Sequence, residues 1–222
     1  MKQAFINKGT VSAHQVHEPT IQYGFVKIAV AFSTISSGTE MNAVKGTDKS
    51  IIKRALEDPG KILQVLDILK SQGIKSAQSK VAGATEKLNS MGYSVAGRVV
   101  EVGEGANDFA IGDLVAAGGS GFALHAGCVL VPKNLVVKMP SGLDMQSAST
   151  GTVGSIALHG VRRADLRLGE YAVVLGTGLL GLLALQMLKV SGIKVACIDI
   201  NPKRLLLAKE LNADLIINPT KE

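Results

Sequence analysis

A glycine-rich segment between two apolar runs constrains the fold of this chain more than any other feature of its sequence. Residues 171–175 (YAVVL) are a continuous apolar run, which predicts a strand that is buried on both faces. The segment 176–181 (GTGLLG) follows directly, and an apolar helical pattern then extends over 182–190. Residues 194–198 (KVACI) predict a second strand, which ends at the acidic residue Asp199. Strand, helix and strand in this order predict a parallel βαβ unit, and hence an α/β domain.

The three glycines of the segment 176–181 have the spacing of a dinucleotide-binding turn. Gly176 would allow the tight turn out of the strand, Gly178 would let a pyrophosphate approach the backbone, and Gly181 would let the helix pack against the strand. The free N–H groups and the positive dipole end at the start of this helix favour phosphate binding. We therefore predict a Rossmann dinucleotide site, although the glycines are also compatible with a nucleotide-free domain of the same fold.

The carboxylate of Asp199 is placed to accept hydrogen bonds from the adenosine ribose hydroxyls of the dinucleotide. Its charge would repel the 2′-phosphate of NADP, so the sequence favours NAD as the cofactor. Lys203 and Arg204 follow in the next predicted helix, and a basic side chain that covered a phosphate would weaken this preference. NADP is therefore the less favoured alternative.

The composition of the 222-residue chain is that of an ordinary α/β protein, with 46% hydrophobic residues and few aromatic ones. The net charge of +6 comes from basic residues interleaved with acidic ones, and without a basic stripe we expect no nucleic-acid binding. Residues 1–6 lack the apolar core of a signal peptide, and the apolar stretch 179–188 is too short to cross a bilayer. We expect a cytoplasmic protein without a membrane partner. The two cysteines, Cys128 and Cys197, form no CxxC pair, so buried apolar positions are expected for both.

The hydrophobic pattern changes along the chain and predicts two domains. Alternation over 25–32 and short apolar segments with Gly-rich turns over 94–138 predict a small, barrel-like β domain. The stretch from about 45 to 89 has helical periodicity, which predicts a helical insertion. We place the domain boundary near residue 140, so that residues 1–140 form the β-rich lobe and residues 141–222 the α/β domain.

The predicted α/β domain corresponds to half of a complete dinucleotide-binding fold. A helix over 203–211 and a third strand over 215–218 follow the second strand. These elements complete one βαβαβ half, whereas the full fold has two. Either the nicotinamide side is built in another way, or residues beyond 222 supply the second half. We favour the second interpretation.

Three further segments resemble the medium-chain dehydrogenase/reductase superfamily, which includes zinc-type alcohol dehydrogenases and their zinc-free relatives. They are a strand pair over 92–103, a strand-like segment over 109–115 and a ribose-binding turn over 197–204. The resemblance implies a GroES-like β-barrel catalytic lobe followed by a Rossmann NAD-binding domain. The resemblance and the glycine-rich turn together imply a set of cofactor-binding residues. They are Gly176, Thr177, Gly178, Leu179, Leu180, Gly181, Asp199, Ile200, Lys203, Arg204 and His159. For His159, a structural histidine within a helix is the alternative.

Other residue types occupy the positions at which this family binds zinc. By resemblance, the ligand cysteine falls on Ser37, the ligand histidine on Tyr93 and the neighbouring glutamate on Ser94. The family's four-cysteine structural zinc lobe has no counterpart in this sequence. Since hydroxyl groups do not replace the thiolate, imidazole and carboxylate ligands of zinc, we expect no metal site.

The helical insertion narrows the resemblance to a zinc-free subgroup, the bi-domain oxidoreductases. Membership of this subgroup implies a second, Gfo/Idh/MocA-like oxidoreductase module beyond residue 222. It also suggests sugar-related substrates. Because relatives in the superfamily are often dimers, a homo-oligomer is a further expectation.

Hydride transfer requires a group that handles the proton, and without zinc a hydroxyl or imidazole must polarise the carbonyl group. Thr39 matches the family's proton-relay hydroxyl, Tyr93 brings a phenol to a ligand position, and Ser37 is the third candidate. The alternatives are a core tyrosine at 93 and turn-capping hydroxyls at 37 and 39. We expect a zinc-independent, NAD(H)-dependent oxidoreductase that acts on a small alcohol or carbonyl substrate. The alternative is a non-catalytic NAD-binding scaffold or sensor module of a larger protein.

Overall fold

The computed structural model describes residues 1–7, 9–36, 38, 40 and 88–221. These residues form two compact units, Met1–Ser149 and Thr150–Glu222. The first unit consists mainly of antiparallel strands, and the second alternates parallel strands with helices. The predicted helical insertion lies outside the described residues except at its last two positions.

The first unit contains two antiparallel sheets. Its strands are β1 Lys2–Asn7, β2 Thr10–Gln15, β3 Phe25–Ser33, β4 Asn89–Ser90, β5 Ser94–Val102, β6 Leu114–Gly118, β7 Cys128–Pro132 and β8 Val136–Lys138. The larger sheet has the order β7-β3-β5-β6-β8, and the smaller one has the order β2-β1-β4. A short helix, α1 Met145–Ala148, follows the last strand, and the Asp144 carboxylate caps it by accepting a hydrogen bond from Ser147 N.

Strands β3 and β5 supply the centre of the first hydrophobic core. Val26 and Ile28 of β3 are fully buried, as are Val95 and Val99 of β5. The apolar side chains of β3 recur at every second position, which places them on one face of the strand. Burial of such side chains stabilises the unit by about 1.5–3 kcal/mol for each large one.

The second unit has the parallel βαβαβ order that the sequence predicts. Its elements are α2 Gly151–Arg163, β9 Tyr171–Leu175, α3 Leu179–Val190, β10 Lys194–Ile198, α4 Pro202–Glu210 and β11 Leu215–Ile217. The strands are parallel in the order β11-β10-β9, with Lys194 beside Tyr171 and Ala196 beside Leu215. In the described part of the chain, no helix combines the length and apolarity needed to cross a membrane.

The second hydrophobic core lies between α3, α4 and the parallel sheet. Leu185 and Leu188 of α3 pack there with Val195 and Cys197 of β10. Cys197 is fully buried, and burial raises the pKa of its thiol. Cys128 is buried in the first unit, so the expectation that both cysteines are buried is confirmed.

Two details of the strands differ from the sequence-based expectation. The strand expected over 109–115 begins only at Leu114, because the Asp113 carboxylate accepts a hydrogen bond from Ala110 N at 2.9 Å and holds a turn. Strand β9 is buried on one face rather than two: Ala172 and Val174 pack on the core, whereas alternate side chains of this strand are exposed. An apolar run alone does not distinguish these arrangements, because it does not show whether both faces are covered.

Gly97 of β5 lies against the backbone of β3. A methyl group at this position would overlap the carbonyl oxygen of Ala29. We therefore expect Gly97→Ala to force the strands apart and to lower the free energy of unfolding by about 1–3 kcal/mol. Gly127→Ala is the matched control, since its nearest neighbours would be 3.9 Å from the added methyl group. Denaturant unfolding of both variants tests this, and equal stabilities would contradict it.

Candidate functional site

The glycine-rich turn between β9 and α3 has an open outer surface. Gly176 has a φ of +88°, in the left-handed region that favours glycine, and its N–H donates to Ile198 O at 2.8 Å. Gly178 is the N-cap of α3, and a methyl group at Gly178 would have no heavy atom within 4 Å. The first bond of the helix runs from Leu182 N to Gly178 O, so the amides at the helix start are oriented to bind an anion.

The third glycine of the turn is enclosed. A methyl group at Gly181 would overlap the carbonyl oxygen of Gly176 and would lie 3.2 Å from Val174 Cγ1. The first turn of α3 therefore packs directly on the end of β9. Close packing at Gly181 and open space at Gly178 are the two steric conditions that a pyrophosphate-binding turn requires.

The carboxylate of Asp199, at the end of β10, faces the inner side of this turn. Its Oδ2 accepts hydrogen bonds from Thr177 N at 2.7 Å and from Thr177 Oγ1 at 3.0 Å. Its Oδ1 accepts one from Asn201 N at 2.8 Å. Asp199 is only 7% exposed, and Thr177 is fully buried. The turn and the end of β10 are therefore joined through one buried carboxylate.

Burial opposes the ionisation of Asp199, but its hydrogen-bond donors outweigh this effect. The amides of Asn201 and Thr177, the Thr177 hydroxyl and the guanidinium of Arg204 together lower the pKa of Asp199 below its usual value. Arg204 Nη1 lies 3.9 Å from Asp199 Oδ2, and its side chain is half exposed. The site thus carries a stable negative charge with one basic side chain at its rim.

The remaining residues predicted to contact the cofactor lie at the surface of the second unit. Ile200 and Lys203 are exposed next to Asp199, and the backbone N–H of Lys203 donates to Asn201 Oδ1. Leu179 and Leu180, in the first turn of α3, are partly exposed. His159 is exposed on α2. The structure therefore brings the turn, Asp199 and Arg204 together, whereas nothing described joins His159 to them.

The candidate catalytic residues belong to the first unit. Ser37 and Thr39 lie outside the described residues. Tyr93 is half-buried, and its carbonyl oxygen accepts a hydrogen bond from Gly119 N at 2.9 Å. Ser94 is 1% exposed and donates its hydroxyl to Ser149 O at 2.6 Å. The position that the resemblance assigned to the family's glutamate therefore holds a hydroxyl that links β5 to the end of α1.

A partly buried histidine–carboxylate pair was not among the sequence-based candidates. His125 Nε2 lies 3.0 Å from Glu40 Oε1, and His125 Nδ1 lies 2.9 Å from Ser33 Oγ. Both ring nitrogens therefore have a hydrogen-bond partner, and the Ser33 hydroxyl can either donate or accept. His125 is 85 residues from Glu40 and 92 residues from Ser33 along the chain. The sequence signal was the position of His125 after a Gly-rich turn.

Zinc would need a cluster of thiolate, imidazole or carboxylate groups. Among the described residues, no three His, Cys, Asp or Glu side chains are grouped so that they could hold a metal ion. Tyr93 and Ser94, at two of the family's ligand positions, supply hydroxyl groups only. Because Ser37 lies outside the described residues, the expectation of a zinc-free site stays a prediction.

The antiparallel β unit is followed by a parallel α/β unit whose glycine-rich turn has the arrangement of a dinucleotide-binding fold. A family model described as "Zinc-binding dehydrogenase" matches residues 180–222. The (R,R)-butanediol dehydrogenase of Bacillus subtilis is 31% identical over 158 residues, which are 59% of this chain and 44% of that protein. The D-guloside 3-dehydrogenase of Escherichia coli is 33% identical over 132 residues, which are 58% of this chain and 37% of that protein.

The alcohol dehydrogenase TADH from Thermus sp. ATN1 has a similar structure, with a TM-score of 0.76 and 22% identity. The similarity covers the whole of this chain and 64% of that one. The chain spans less than half the length of the two sequence relatives. These similarities support the resemblance to the medium-chain dehydrogenase/reductase superfamily. The expectation of a GroES-like lobe followed by a Rossmann domain is confirmed for the fold.

The hydrogen bonds of Asp199 give a prediction about acid stability. In Asp199→Asn, an amide NH2 group would face the N–H donors of Thr177 or Asn201, so we expect a loss of about 1–3 kcal/mol at pH 7. Because the folded pKa is lowered, the contribution of the carboxylate is complete above its unfolded value of about 3.9. This contribution is lost as the pH falls through the folded pKa, and the two proteins should then converge in stability.

Denaturant unfolding between pH 7 and pH 3 measures this difference. Asp165→Asn is the control, since Asp165 is exposed in the same unit. Its φ of +49° is also one that asparagine adopts readily. A constant stability difference for Asp199→Asn across this pH range would contradict the prediction.

Proposed function

We propose that the chain is the NAD(H)-binding part of a zinc-independent oxidoreductase that transfers a hydride between nicotinamide and an alcohol or carbonyl compound. The observation that carries this proposal is the open N-terminus of α3 at Gly178, beside the buried carboxylate of Asp199. A dinucleotide needs a helix N-terminus for its pyrophosphate and, close to it, a carboxylate for its adenosine ribose. When bound, the nicotinamide would supply the hydride acceptor or donor.

The residues present fit a dinucleotide and favour NAD. Backbone amides at the start of α3 would bind the pyrophosphate, and Asp199 would accept a hydrogen bond from an adenosine ribose hydroxyl. The lowered pKa of Asp199 keeps its charge at neutral pH, and this charge opposes a 2′-phosphate. Arg204 lies at the rim of the carboxylate, where its charge offsets part of that repulsion. Discrimination against NADP is therefore expected to be incomplete.

The first unit would handle the proton without a metal ion. Tyr93 and Ser94 provide hydroxyls where zinc-type relatives would need ligands, and the Ser94 hydroxyl already binds a backbone carbonyl. We propose that the phenol of Tyr93 polarises the substrate oxygen and that Thr39 and Ser37 assist by hydrogen bonding. The substrate class proposed is a secondary alcohol or sugar. The names of the butanediol and guloside dehydrogenases support this choice.

Gly178→Ala tests the cofactor site. The added methyl group meets no protein atom within 4 Å but occupies the approach of the pyrophosphate, so the fold should persist while NADH affinity falls about ten-fold. Gly154→Ala in α2 is the matched control, since its methyl group also meets no atom within 4 Å. Titration of NADH fluorescence measures both. Equal affinity of Gly178→Ala and the unmodified chain would contradict the proposal, as would binding of neither NADH nor NADPH.

Tyr93→Phe tests the proposed catalysis. Loss of a phenol that polarises the substrate should reduce kcat/KM by about 10²-fold or more without changing NADH affinity. The measurement is NADH absorbance with 2,3-butanediol, acetoin and a panel of glycosides as probes, using the full-length protein. NADH binding without turnover of any probe would instead favour a scaffold or sensor. Unchanged turnover in Tyr93→Phe would exclude the phenol from the reaction.

A further inference from the structure

Thr177 occupies the middle of the glycine-rich turn, yet its side chain points away from the open surface. It is fully buried, and both of its donors are directed to one atom. The backbone N–H and the hydroxyl lie 2.7 Å and 3.0 Å from Asp199 Oδ2. Thr177 therefore has no donor left for a phosphate, although it lies between two residues of the open turn.

The bonds from Thr177 determine which part of the Asp199 carboxylate can bind a ligand. A carboxylate oxygen accepts about two hydrogen bonds in the plane of the group, so Oδ2 is saturated by Thr177. Oδ1 accepts only from Asn201 N at 2.8 Å among the described contacts. One acceptor position therefore remains, and it belongs to Oδ1. A ribose hydroxyl would bind there.

The basic side chain beside Asp199 faces the same carboxylate oxygen as the Thr177 hydroxyl. Arg204 Nη1 is 3.9 Å from Oδ2, beyond hydrogen-bond distance, and its side chain is half exposed. Removal of the Thr177 hydroxyl would leave an acceptor position on Oδ2. The guanidinium could then approach that oxygen and neutralise the charge that opposes a 2′-phosphate.

We propose that Thr177 is a positioning residue that sets the preference for NAD over NADP through Asp199, without contact to the dinucleotide. This inference rests on the proposed function, since it requires that the site bind a dinucleotide. The backbone N–H of Thr177 fixes the turn in any variant. The hydroxyl alone adds the second bond to Oδ2, so that the preference depends on a side chain that is wholly buried.

A pair of substitutions at Thr177 isolates the hydroxyl. Thr177→Val keeps the shape and removes the donor, whereas Thr177→Ser keeps the donor and removes a methyl group. Fluorescence titrations of the full chain with NADH and with NADPH give the ratio of the two dissociation constants. We expect the preference for NADH to fall about ten-fold in Thr177→Val and to stay near that of the unmodified chain in Thr177→Ser.

A merely structural role would weaken both cofactors alike, so the ratio is the decisive quantity. An unchanged ratio in Thr177→Val, with an unmodified chain that binds NADH, would overturn this inference alone. An unmodified chain that binds neither dinucleotide would overturn the proposed function as well. If circular dichroism shows that Thr177→Val does not fold, Thr177→Ala takes its place, with the same expected fall in the ratio and the same contradictory result.

Discussion

The buried carboxylate of Asp199 is the interaction on which the candidate site of the second unit depends. A buried charge is costly unless hydrogen bonds replace its lost hydration, and this one has two donors from Thr177 and one from Asn201. These donors belong to two different loops, one after β9 and one after β10. The Asp199 carboxylate therefore holds the glycine-rich segment in place. The donors of this segment also help to keep the carboxylate ionised, because they lower its pKa.

The glycine-rich turn combines two opposite steric conditions within six residues. Gly181 must be small because the first turn of α3 packs on the backbone of Gly176, while Gly178 faces open space. Close packing fixes the direction of α3, and the free surface presents its first amides to solvent. The anion site that we propose would therefore be formed by the backbone itself, without any basic side chain in the turn.

In the first unit, polar side chains with little exposure connect separate segments of the chain through hydrogen bonds. Ser94 is buried and uses its hydroxyl to bind a backbone carbonyl, so it acts as a connection between elements. His125 instead joins a carboxylate and a hydroxyl in a short chain of side-chain hydrogen bonds. Buried polar groups of this kind require partners, and here every described buried side-chain polar atom has one.

The sequence by itself determined the local elements of the second unit and the glycine spacing of its turn. The bounds of β9 and β10 agree with the apolar runs, because strand periodicity and glycine positions act over only a few residues. The turn at Asp113 and the exposed face of β9 were not predicted, since an apolar run does not show what covers it. Tertiary structure alone decided that Thr177 meets Asp199 and that His125 lies between Ser33 and Glu40. These partners are distant along the chain, and only strand pairing and loop paths bring them within hydrogen-bond distance.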